Sequence, residues 1–192
     1  MRDKSITIAV ALLAASGSAH ADDDLANLVT CYNEARLLVS GTFNYSWQNR
    51  NPITGKIRAG AWDVFIELDD DEAIHFFRLK DGKQHLLSVY VGARMEDGHV
   101  YNYVADPRDG SLHAQEEIVS CFKRGDDYHI EERMSLASHF RNKAGDTFDG
   151  RAEVIFSSKG RIFTGYSRPE GSDEEWTWQS SIVASPIEES DK

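Results

Sequence analysis

Two glutamates carry the strongest chemical signal in this chain, because both stand where an apolar side chain is expected. Glu116 falls between Ala114 and Ile118, and Glu132 between Ile130 and Met134, each on the apolar side of an alternating stretch. A carboxylate turned into a core needs a partner or takes up a proton. Two such groups in one cleft could act as acid and base, the arrangement glycosidases use. A local bulge would instead turn either one out to water, and that is the favoured expectation. Around them the alternation gathers Phe43, Tyr45, Trp47, Trp62, Tyr128, Trp176 and Trp178 on deduced inner faces. Aromatic walls with a few polar groups fit a small-molecule pocket, and they fit a filled core equally well. The expected ligand contacts are Tyr45, Trp47, Trp62, Trp176 and Trp178, with Glu132 as polar anchor. No catalytic residue, metal ligand or cofactor is assigned.

Other reactive types are scattered. His75, His85, His99, His113, His129 and His139 show no helix-type metal spacing, and no cysteine or carboxylate completes a zinc pattern. Asp69-Asp70-Asp71-Glu72 offers oxygen ligands of the kind calcium prefers, without an EF-hand loop pattern. Neither a Gly-rich phosphate loop nor a Gly-x-Ser-x-Gly elbow is present, which argues against nucleotide and ordinary serine-hydrolase chemistry.

The elements that must position these residues are strands. From Leu37 to Ala184 the chain reads as about ten short alternating segments, punctuated by Asp81-Gly82, Asp97-Gly98, Gly125-Asp126, Gly145-Asp146 and Lys159-Gly160. Short connections favour an up-and-down antiparallel meander, closed as a β-barrel or folded as a sandwich; the barrel is the expected fold. One helix is expected over Asp24–Arg36, where Leu25, Leu28, Val29 and Tyr32 recur at spacings of three and four. Cys31 in that helix and Cys121 in a mid-chain strand are the two cysteines, and an exported chain would join them.

Export is expected from the first residues. Arg2 and Lys4 precede the apolar run Ile6–Ala15, and Ala19-His20-Ala21 matches a signal-peptidase site. Residues 1–21 are thus expected to be a signal peptide, 22–185 one barrel domain and 186–192 a polar tail. The formal charge of -11 disfavours nucleic acid and anionic lipid surfaces as partners. A periplasmic or secreted location follows, with no stable membrane insertion after cleavage.

A short helix, then Gly41-Thr42-Phe43 opening the first strand, then a meander, resembles the calycin group of lipocalin-like barrels. Lipocalins carry Gly-x-Trp at this point; here Phe43 takes the third place and Trp47 follows four residues later. The run from Gly165-Tyr166 through Trp176-Thr177-Trp178 looks like exported bacterial calycin-like proteins of unknown function. The resemblance implies binding of a small apolar ligand in the interior, without catalysis. Two alternatives stand beside it: an envelope interaction protein with a filled core, and a hydrolase built on Glu116 and Glu132. An interior volume above roughly 300 Å³ favours the ligand reading.

Overall fold

The computed structural model describes residues 11–51, 54–69, 72–135 and 148–187. Helix α1 (Ala11–Arg36) leads into ten strands: β1 (Gly41–Arg50), β2 (Ile57–Leu68), β3 (Ile74–Lys80), β4 (Lys83–Glu96), β5 (His99–Ala105), β6 (Leu112–Arg124), β7 (Asp127–Ser135), β8 (Phe148–Ser157), β9 (Gly160–Pro169) and β10 (Thr177–Pro186). Each strand pairs with the next in sequence, and β10 pairs with β1, so the sheet closes into a barrel with no free edge. Closure settles the choice between barrel and sandwich.

Several boundaries differ from the sequence reading. The helix begins at Ala11 rather than Asp24 and runs through Ala21. Pro186, expected to open a loose tail, ends β10, and Ile187 N–H donates to Thr42 O at 2.8 Å. Residues 136–147, which include Leu136, His139 and Phe140, lie outside the described residues, as do Asp70 and Asp71 of the acidic stretch. No described helix is long and apolar enough to cross a membrane.

The turns β4–β5, β6–β7 and β8–β9 share one rim, and α1 sits on it. Asn33 takes the Ala93 N–H at 2.8 Å, Tyr128 donates to Glu34 at 3.1 Å, and Tyr32 meets Phe156 edge-on. A disulfide joins Cys31 to Cys121, as expected from the sequence. The approach of helix to β4 depends on Gly92, at φ 92°. A Cβ there would stand 2.6 Å from Asn33 Oδ1 and 2.9 Å from an Arg36 nitrogen. Inside, Val64, Val100, Val154, Ile118 and Ala152 are fully enclosed. Burial of such side chains is worth about 1.5–3 kcal/mol each and drives closure of the sheet around them.

Candidate functional site

Both glutamates face inward. Glu132 is 0% exposed, and neither of its oxygens has a hydrogen-bond partner among the described residues. Its strand neighbours Ile130 and Met134 share the inner face, which period-two alternation requires. Glu116 pairs across the sheet with Asn102, whose amide donates to its Oε2 at 2.8 Å. The β6 strand does contain irregularities, between Ile118 and Ser120 and opposite Tyr103, yet neither turns Glu116 outward. Burial is the main cause that raises the Glu132 carboxyl to about 8, with the Glu116 charge adding to it and Arg161 opposing it. Glu116 is raised too, first by burial, against the Asn102 hydrogen bond and Arg161. The pair therefore holds a proton more readily than two free glutamates would.

Deeper toward α1, the inside becomes cationic. Arg161 lies on the inner face of β9, with its guanidinium 5.1 Å from the Phe156 ring centre and 5.8 Å from that of Phe163. Its Nε is buried and unpartnered, while Tyr45 forms a side-chain hydrogen bond with it. Burial pulls the Arg161 pKa down, but Tyr45, Glu132, Tyr90 and Tyr32 outweigh that and hold it above its ordinary value. Arg36, at the end of α1, is buried and donates to Asn33 Oδ1 at 3.2 Å and to the Tyr90 carbonyl at 3.4 Å. Burial lowers its pKa from a value high enough that it stays charged. Burial also pushes the hydroxyls of Tyr32, Tyr45 and Tyr90 up, which keeps them as proton donors.

Arg36, Arg161 and these three tyrosines line one cavity of about 40 Å³ under the helix, walled by Val39, Ile66, Ile74, Phe76 and Phe156. Among the described residues neither arginine makes an ion pair with a carboxylate. At about 10–15 Å³ per water-sized sphere, the cavity holds about three. At the opposite rim a wider groove of about 810 Å³ opens, bordered by Tyr101, Glu116, Arg133, Met134, Arg151 and Trp176 among others.

The six expected ligand contacts fall in separate places. Tyr45 lines the small cavity, and Glu132 is fully buried and lines neither cavity nor groove. Trp47 and Trp62, both half-buried, pack on each other at 5.8 Å, with Gly60 giving Trp47 its space and Arg78 5.1 Å from the Trp62 ring. Trp176 borders the groove, with Arg168 at 4.6 Å and Arg151 at 5.7 Å from its ring. Trp178 pairs with Tyr166, which pairs with Arg151, so it shares their outer face. A register shift between Trp178 and Ser180 puts it there and breaks the alternation expected along β10. Sequence reasoning passed over Arg161, Arg36, Tyr90 and Asn102. Arg161 could have been found from its spacing of two and four to Phe163 and Gly165 on β9.

Fold and site together define a closed antiparallel ten-stranded barrel with a helix across one rim and a file of polar residues inside. The chain is similar to the crystal structure of Rv2717c from M. tuberculosis, with 12% identity and a TM-score of 0.47, over 81% of this chain and 96% of that one. No family model matches it, and no curated protein does.

Proposed function

We propose that this is an exported, non-catalytic barrel that binds a small carboxylate-bearing ligand in the cavity beneath α1. One observation carries the reading. Arg36 and Arg161 border the same small cavity with three tyrosines, and no carboxylate of the described chain ion-pairs with either. A guanidinium removed from water needs an anion or a hydrogen-bond acceptor, and it matches a carboxylate by geometry. The apolar wall of Val39, Ile66, Ile74, Phe76 and Phe156 suits a short hydrocarbon body. At about 40 Å³ the cavity falls far short of the roughly 300 Å³ expected of an aromatic ligand pocket, and it limits the occupant to short-chain-acid size. The Cys31–Cys121 disulfide is compatible with export, and an intact mass beginning at Asp22 tests that part.

Isothermal titration with formate, acetate, propionate, butyrate and octanoate tests the site. Saturable binding is expected for the short acids, with affinity lost at octanoate and lost throughout in R161M. Absence of binding by every acid overturns the reading. The well-buried core of Val64, Val100, Ile118, Ala152 and Val154 would then favour the interaction-protein alternative, in which the barrel presents surfaces and holds nothing.

A further inference from the structure

Polar side chains recur on the inner faces between the wide groove and the small cavity under α1. Glu116 borders the groove and is held by Asn102. Glu132 follows, fully enclosed, with both oxygens unpartnered. Arg161 then acts on both carboxylates and on Tyr45, Tyr90 and Tyr32, and Arg36 lines the cavity under α1. Each element packed around Glu132 is accounted for. Tyr32 from α1, Glu116 from β6 and Arg161 from β9 act on it electrostatically; Tyr45 and Tyr90 line the small cavity with Arg161, and Asn102 on β5 holds Glu116. Its neighbours on β7 and β8, Ile130, Met134, Ala152 and Val154, carry no charge. On β2 and β3 the inward positions are apolar except Arg78, which lies over Trp62. Ser180, Ile182 and Ala184 face in from β10.

We infer that an anion bound at Arg161 is taken up together with one proton, which the Glu116–Glu132 pair acquires from solvent at the open groove. This rests on the carboxylate-binding reading above. Arg161 is the cation that offsets carboxylate charge in the file, and an anion beside it claims the same positive field. In an interior of low dielectric two anions cannot share one cation cheaply, so one of the pair is protonated. The proton adds to a carboxylate oxygen, no other bond forms or breaks, and the charge of the barrel is unchanged by binding. Glu116 is the group placed to pass it inward, since Glu132 has no exposed surface of its own. Linkage makes the effect reciprocal: proton loss from the pair must weaken the anion by the same factor.

Titrating acetate calorimetrically at pH 8.5 in two buffers of different ionisation enthalpy gives the proton count. The wild-type protein is expected to take up between one half and one proton per acetate. Its affinity is expected to fall by up to tenfold per pH unit above pH 8. E132Q is expected to bind acetate without uptake at pH 8.5 and with flat affinity between pH 7 and 9. If that variant does not fold, the ¹³C carboxyl titration of Glu132 in the wild type replaces it, with a midpoint that acetate moves upward. Acetate binding without proton uptake, uptake that persists in E132Q, or a midpoint acetate leaves in place overturns the coupling and leaves the binding site standing. No acetate binding at all overturns both.

Discussion

Glu132 is the residue on which folding and pH meet. Its folded-state pKa, about 8, lies above the value near 4.5 of an unfolded glutamate. Between those values the folded protein holds a proton that the unfolded chain releases, so stability falls as pH rises from about 5 to about 8. One proton sets the steepest slope at about 1.4 kcal/mol per pH unit. E132Q cannot ionise and is expected to lack this component. Urea denaturation at pH 5.5 and pH 8 should show the wild type losing ground to E132Q as pH rises, whatever their order at pH 5.5. Parallel behaviour of the two proteins would remove the buried-acid assignment. The sequence placed Glu132 between Ile130 and Met134 at period two but favoured a bulge that would turn it to water; its inward face was settled only by the register of β7 on β8. Its surroundings were not legible, since Tyr32, Asn102, Glu116 and Arg161 come from four other elements brought together only by closure. Trp178 was read onto the wrong face for a local reason. The register shift at Gln179 is marked by no glycine or proline.

At the scale of elements, strands were the readable part and the helix contact the hidden one. Turn pairs such as Asp81-Gly82 and Asp97-Gly98, with positive φ at all four residues, announce hairpins in the sequence itself. That Asn33 and Arg36 would cap β4 at Gly92 is a long-range fact with no local sign. The disulfide ties the same helix to β6 across a separation of 90 residues. In the chain-entropy picture a closed loop of this length stabilises by about 4 to 5 kcal/mol. The C31S/C121S double variant is therefore expected to unfold at lower urea by an amount approaching that figure. Amide exchange should quicken first in the last turns of α1, because the barrel ladder does not depend on the bridge. If exchange quickens equally through β1–β10, the helix and barrel form one cooperative unit and the ordering fails.

For the whole molecule, closure was only partly foreseeable, because the pairing of β1 with β10 joins the ends of the fold and leaves no mark on either strand. The small interior volume was less so, since it depends on how inner side chains such as Trp47, settled over Gly60 and against Trp62, pack once the sheet closes. Charge, by contrast, is a sequence property with a measurable consequence. At -11 the surface repels itself, and that repulsion is screened as the Debye length shrinks from about 30 Å at 0.01 M salt to about 8 Å at 0.15 M. Screening depends on ionic strength alone, so chloride and perchlorate should raise the thermal midpoint alike, by a few degrees. Acetate should raise it further at equal ionic strength, because occupancy of the Arg36–Arg161 cavity adds RT ln(1 + [L]/Kd) to folding. In R161M the screening component should persist and the acetate excess should vanish. An acetate excess that survives in R161M would place the anion elsewhere on the barrel, and equal shifts for all three salts in the wild type would leave screening as the whole effect.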